Sequence, residues 1–146
     1  MITLRNVQAT DLEQLLDIEN EGFSKEEAAT REVEILGYIN GPIIHQPYIT
    51  DDLFEEIQEN PKRGGYQSIL GLAVSSKARN QGIAKLLMEK MEALVVENKR
   101  EGITLTCKEE LVSIYEKLGF VNHGMSESQH GGVTWYNLVK LREAMN

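Results

Sequence analysis

The stretch Ser68-Ile-Leu-Gly-Leu-Ala-Val-Ser-Ser-Lys-Ala-Arg-Asn-Gln-Gly-Ile-Ala84 decides the fold. Its first seven residues, Ser68 to Val74, are an almost unbroken apolar run, which suits a central strand covered on both faces. Polar residues then turn the chain, and Ile83, Leu86, Leu87, Met91, Leu94 and Val95 recur every three or four positions, the period of an amphipathic helix. Gly71 interrupts the apolar run, either as a bulge that splays this strand from the next or as relief of crowding under a helix.

Working outward, Ile2-Thr3-Leu4-Arg5 alternates as a half-buried strand does, and Thr10 with Glu13 reads as a capping box for a helix carrying Leu12, Leu15, Leu16 and Ile18. Ser24 with Glu27 reads as the cap of a second helix beginning at Lys25. Residues 35–39 and Ile43-Ile44 flank the turn Asn40-Gly41-Pro42 and read as a hairpin. A helical spacing over 51–59 ends in the loop Asn60 to Gly65. Downstream, Gly102 reads as the stop of the long helix, and Ile103 to Cys107 as an interior strand. Glu109 to Leu118 reads as a helix with Leu111, Val112, Tyr115 and Leu118 inward, and Val133 to Leu141 as a closing strand after Gly131-Gly132. This order predicts an α/β or α+β arrangement on one mixed sheet, and a length of 146 residues suits one domain over residues 1–146.

Composition narrows the function classes. A net charge of −8 disfavours nucleic acid as a partner, because such binding draws on cationic contacts. No apolar run is long enough to span a bilayer, and the first residues lack a basic and apolar signal, so a cytoplasmic protein that does not use a membrane is expected. The single cysteine, Cys107, forms no internal disulfide and offers no pair for structural zinc; no metal is expected. A homodimer is compatible with all of this.

The turn from Ser75 to Ala84 carries the chemistry. A turn that opens into a helix presents unpaired N–H groups, and the helix dipole favours an anion there, so its form is that of a pyrophosphate cradle. Gly82 keeps a Cβ out of the way, Ala84 is nearly as small, and Arg79 and Lys85 add positive charge. It is neither a Walker loop nor a dinucleotide fingerprint. Taken alone, the turn serves equally as an ordinary strand-to-helix connection with a packing glycine.

Val74 to Ala84, with Arg79-x-x-Gly82-x-Ala84, resembles the cofactor motif of the GNAT acetyltransferase superfamily. Leu105-Thr-Cys107-Lys-Glu-Glu-Leu111-Val112-Ser-Ile-Tyr115-Glu-Lys-Leu-Gly119-Phe120 is similar to the matching strand and helix of arylalkylamine N-acetyltransferases and their bacterial relatives. The resemblance implies a mixed, mostly antiparallel sheet flanked by helices, with strands splayed at the cofactor site. It implies acetyl-CoA as co-substrate, with Leu72, Ala73 and Val74 along the pantetheine arm and Arg79, Asn80, Gln81, Gly82, Ile83, Ala84 and Lys85 around the pyrophosphate. Tyr115 matches the tyrosine that the family uses as general acid, and a backbone N–H at Leu72 would face the developing oxyanion. Read without the family, Tyr115 is an inward core aromatic.

The implied activity is direct acetyl transfer to a primary amine, with a small amine favoured; the alternative is a non-catalytic acyl-CoA-binding sensor or interaction module. The histidine pair of the vertebrate arylalkylamine members is replaced by Ser68 and Leu70, so the base is left to a water chain ending at Asp51, Asp52 or Glu55, or at a histidine. Asp51, Asp52, His130 and Trp135 are candidate substrate contacts, and the last two fit a plain turn and half-buried strand equally well. His45 and His123 show no partner and receive no role. Family members usually carry a fuller second helix and a further strand before Leu36-Gly37-Tyr38-Ile39. Either that strand is lost here, or a loop between Arg31 and Leu36 is missing from the chain.

Overall fold

A computed structural model describes residues 2–20, 34–50, 60–127 and 130–145. The readings at Ser24–Glu27, between Arg31 and Leu36, and at Asp51, Asp52 and Glu55 lie wholly or partly outside these residues. The chain forms two compact units, one of residues 1–39 with 71–91 and the other of 40–70 with 92–146.

In the first unit, residues 2–8 form no strand, contrary to the alternation of Ile2-Thr3-Leu4-Arg5, and Ile2 and Leu4 are exposed. Asp11 decides the conformation instead. Its carboxylate accepts both Arg5 guanidinium nitrogens (2.8 and 2.9 Å) and the Gln8 N–H (2.8 Å), closing the 3-10 turn Ala9–Asp11. Helix α1, Leu12–Asn20, follows, so the reciprocal cap is Gln8–Asp11 rather than Thr10–Glu13. Of its apolar residues only Ile18 is buried, while Leu12 and Leu16 face solvent.

The Arg5 side-chain hydrogen bond, then the Gln8 N–H, hold the Asp11 carboxyl at about 2, below its ordinary 3.8. A depressed folded pKa stabilises the fold above the unfolded value and loses that contribution as pH falls through the folded one. Acid titration followed by circular dichroism is therefore expected to show stability lost between about pH 4 and pH 2, and Asp11→Asn to flatten that limb. An unchanged limb would remove Asp11 from the account.

Strands β1 (Gly37–Asn40) and β2 (Ile43–Ile44) do not pair with each other, so the expected hairpin is absent. Each runs beside half of the apolar stretch, which breaks at the exposed Leu70 into β3 (Tyr66–Ile69) and β4 (Gly71–Val74). β1 pairs with β4 in a two-stranded sheet, antiparallel as the Ser75 N–H to Leu36 carbonyl bond (2.7 Å) and the Leu70 N–H to Asn40 carbonyl bond (2.9 Å) require. The kink at Gly41-Pro42 thus lies within one bent ribbon. Backbone satisfaction along Tyr66 to Val74 outweighs the local preference of Asn-Gly-Pro for a turn. The break falls at Leu70, one residue before Gly71.

The second unit holds a five-stranded sheet in the order β2-β3-β5-β7-β6, where β5 is Gly102–Cys107, β6 is Val121–Met125 and β7 is Tyr136–Leu141. Only β3 and β5 are parallel, and their register ends at Ile69 opposite Leu105. The mixed, mostly antiparallel sheet flanked by helices is the expected class. Ile103, Leu105, Leu138 and Val139 are fully buried at its centre.

Helix α2, Ile83–Glu97, follows its apolar period, with Ile83, Met88, Met91 and Val95 buried and Leu86 exposed. Gly102 does not stop it. The Arg100 N–H bonds the Val95 carbonyl while Lys99 takes a φ of 52°, and Gly102 starts β5 because a Cβ there would lie 2.4 Å from the Lys140 carbonyl oxygen. Helix α3, Glu109–Lys117, forms as expected, yet Leu111 and Leu118 are exposed. Lys140 ties this side of the sheet together through Glu92 of α2 (2.5 Å) and the Leu118 carbonyl (2.9 Å).

Candidate active site

The strand and turn expected to hold the cofactor lie in the first unit. β4 has a strand partner only in β1 among the described residues, so alternate backbone groups of Leu72, Ala73 and Val74 face away from that partner. After Val74, the Ser75 side chain accepts the Lys77 N–H (3.4 Å) and opens the 3-10 turn Ser76–Ala78, which the buried Ala78 anchors. Arg79 is extended, Asn80 is left-handed (φ 67°), and Gly82 is left-handed again (φ 73°) at the first residue before α2. Asparagine tolerates such a φ better than most residues and glycine adopts it freely, so two sharp reversals fit into four residues.

The loop delivers the chain to α2 with its first N–H groups, on Ile83, Ala84 and Lys85, lacking intrahelical acceptors. A Cβ on Gly82 would meet nothing within 4 Å, so the space beside Gly82 itself is open. Arg79, Asn80, Gln81, Gly82, Ala84 and Lys85 are exposed, whereas the Ile83 side chain is buried and has only its backbone to offer a ligand. Lys85 stands 4.0 Å from Glu89 across one helical turn, an exposed pair of small worth.

The residues of the Tyr115 segment lie in the second unit. Tyr115, on α3, is half-buried and packs edge-to-face on Phe120 with ring centroids 5.7 Å apart. Burial first, and the neighbouring Cys107 second, push its phenol above the ordinary 10, so it is protonated throughout the neutral range. Cys107 is itself buried at the end of β5, and burial raises its thiol, the opposite of what a nucleophile needs. Tyr115 is therefore a partly exposed donor rather than the sealed core aromatic that the bare pattern allows.

The replacements for the histidine pair are inert. The buried Ser68 hydroxyl donates to the Pro42 carbonyl (2.6 Å), and Leu70 is exposed at the strand break. Trp135, a candidate substrate contact, is half-buried beneath the Lys108 ammonium, which lies 5.9 Å from its ring centre. His130 begins a 3-10 turn with Gly131 and Gly132 at left-handed φ, and its side chain lies outside the described residues. The sequence missed a partner for His123. Its Nδ1 is 2.9 Å from the Tyr48 hydroxyl, and no pattern links two residues 75 positions apart.

A family model described as an acetyltransferase (GNAT) domain matches residues 56–142. Among solved structures, NAA60 of Arabidopsis thaliana in complex with acetyl-CoA is 17% identical with a TM-score of 0.67, over 94% of this chain and 97% of that one. Naa20 of Chaetomium thermophilum in complex with a bisubstrate analogue is 17% identical with a TM-score of 0.67, over 98% and 88%. The ribosomal-protein-S18-alanine N-acetyltransferase of Escherichia coli is 16% identical with a TM-score of 0.62, over 95% and 92%. At these identities the likeness is one of fold. No curated protein sequence matches the chain at a significant level.

Proposed function

The chain belongs to the acetyltransferase (GNAT) domain family, and on that premise we propose that this acetyl-CoA-dependent N-acetyltransferase passes the acetyl group directly to a primary amine, a small amine being the favoured acceptor. The carrying observation is the left-handed Gly82, where a Cβ would meet nothing within 4 Å, set directly before the first N–H groups of α2. A pyrophosphate fits that donor set, because oriented backbone dipoles and the helix terminus favour an anion. Arg79 and Lys85 add charge, the backbone edge of Leu72 to Val74 that has no strand partner among the described residues suits the pantetheine amides, and the Leu72 N–H is the proposed oxyanion donor.

Tyr115 is the proposed donor of the proton that the departing thiolate needs. The raised Cys107 thiol supports direct transfer over a cysteine-bound acyl group. A small acceptor is supported by the acidic balance of the chain, which attracts cations. The likeness of Leu105 to Phe120 to the arylalkylamine group adds an aromatic amine to the candidates, while the fold neighbours include an enzyme that acetylates a protein alanine.

Thermal unfolding with acetyl-CoA tests the cofactor site, since a ligand at a hundred times its Kd adds about 2.7 kcal/mol. Release of free coenzyme A with phenethylamine, spermidine and a peptide beginning with alanine tests the transfer. A thermal shift without release favours the binding module; no shift at all sinks both readings.

Gly82→Asp sharpens the first measurement. It sets a carboxylate in the open space at the cradle, and the expected result is at least about a tenfold loss of acetyl-CoA affinity, consistent with the cost of a like charge at an anion site. Gly82→Asn has nearly the same shape and backbone tolerance without the charge, so it should retain most of the binding. Equal behaviour of the two variants would mean that the backbone, not the charge, governs the cradle.

A further inference from the structure

Along β5, Ile103, Leu105 and Cys107 share one face of the sheet and Thr104 and Thr106 the other. The antiparallel register sets Lys140 opposite Ile103, and the Lys140 bonds to Glu92 and Leu118 mark that face as the helical one. The far face carries Thr104 opposite Val139 and Thr106 opposite Asn137.

Two contacts locate residues 47 and 48 on this far face. The Thr104 hydroxyl donates to the Pro47 carbonyl (2.5 Å), and Tyr48 meets His123 both through its hydroxyl (2.9 Å) and edge-to-face, with ring centroids 5.7 Å apart. Because β7 lies between β5 and β6, these two residues bridge across β7. His123 falls in the irregular step between Asn122 opposite Leu138 and Met125 opposite Tyr136, which is the level of Asn137. Asn137 is 7% exposed, and its carboxamide oxygen is the one buried side-chain polar atom among the described residues without a hydrogen-bond partner. Buried polar atoms are nearly always satisfied, so such an exception calls for a reason.

A row of polar side chains, Thr106, Asn137 and His123, therefore runs across the far face from the end of β5, beyond its last β3 partner, to the exposed edge strand. Two strand spacings make it about 10 Å long. On the helical face of the same strand end stand Cys107 and Tyr115. Direct acetyl transfer needs one proton given and one taken, and the two faces offer a group for each.

We propose that His123, oriented by Tyr48, takes the proton of the acceptor amine through water lying along this row, the Asn137 oxygen fixing that water by accepting a hydrogen bond from it; the inference rests on the acetyl-transfer reading above. In the step, the C–N bond forms and the C–S bond breaks. The nitrogen loses a proton that ends on the His123 imidazole, the thiolate takes the Tyr115 phenol proton, and both groups then exchange with solvent. An acceptor that arrives as an ammonium releases one further proton to water. Nδ1–H donates to the Tyr48 oxygen, so that Nε2 keeps its lone pair. Tyr48 is thus a positioning residue.

The test is His123→Ala in the full chain, assayed by coenzyme A release with the fastest of phenethylamine, spermidine and the alanine peptide. The expected result is a fall in kcat/KM for the amine of roughly 100-fold, an unchanged thermal shift with acetyl-CoA, and recovery of at least about tenfold when imidazole is added. Tyr48→Phe should lower kcat severalfold with the same acetyl-CoA shift, and His45→Ala, at the other exposed histidine among the described side chains, should match the wild type. Wild-type rates in His123→Ala, or a loss that imidazole does not restore, would overturn the base and leave the transfer reading standing. A wild type that binds acetyl-CoA but releases no coenzyme A with any of the three amines overturns both.

Discussion

Tyr115→Phe is expected to lower kcat about 100-fold, the usual contribution of a positioned general acid, while acetyl-CoA still raises the unfolding temperature as it does in the wild type. The substitution removes one oxygen. The ring keeps its edge-to-face seat on Phe120, so little stability should be lost with the hydroxyl. In the proposed role the lost interaction is made only as charge develops on sulfur, which is why kcat would carry the effect; a hundredfold corresponds to about 2.7 kcal/mol of barrier. Burial and the adjacent Cys107 keep the phenol protonated well past neutrality, so the wild-type pH profile should show no basic limb from this residue below about pH 10. Steady-state kinetics with the amine saturating decides the matter, and an unaltered kcat would return Tyr115 to a packing role.

Gly41→Ala should unfold the protein or come close to it. Its Cβ would sit 2.0 Å from the Ser68 carbonyl oxygen and 2.6 Å from the carbonyl carbon, both backbone atoms of a buried strand residue. Relief requires the ribbon to part where the Pro42 carbonyl accepts both the Ser68 N–H (3.1 Å) and its hydroxyl (2.6 Å). The bonds from Leu70 to Asn40 (2.9 Å) and from the Gln67 carboxamide to the Gly41 carbonyl (2.7 Å) lie beside them. At about 1 kcal/mol for each of four hydrogen bonds, the loss approaches 4 kcal/mol. That is a large share of the 5–15 kcal/mol typical of a domain. Urea denaturation checks it; a midpoint shift worth less than about 1 kcal/mol would show that the ribbon yields.

Several elements could be read from residues alone, and others misled for a common reason. Helix α2 announced itself because its apolar period continues over four turns, and β5 because every residue of Ile103 to Cys107 is suited to a buried strand. The Arg79-x-x-Gly82 turn was legible because a left-handed φ just before a helix is a local requirement that glycine meets. Asn40-Gly41-Pro42 has equally local turn chemistry, yet the backbone groups on either side of it find partners in Tyr66 to Val74 and the hairpin never closes. β6 escaped notice because it is an edge strand whose apolar residues, Val121 and Met125, both face solvent, leaving no alternation to detect.

What the residues alone supplied is therefore helix α2, strand β5 and helix α3 and, by resemblance, the acetyl-CoA chemistry, on which the proposed roles of the turn before α2 and of Tyr115 rest. Each depends on spacing within one short segment. Tertiary structure alone decided the rest: that Arg5 caps through Asp11 instead of entering a sheet, that the apolar strand breaks at Leu70, that Lys108 covers Trp135, and that Tyr48 meets His123 beside an unsatisfied Asn137. Apart from the Arg5–Asp11 pair, only six positions apart, those outcomes hang on which elements become neighbours. Strand pairing joins residues tens of positions apart, and their shared hydrogen bonds and burial leave no mark on the local pattern of either partner.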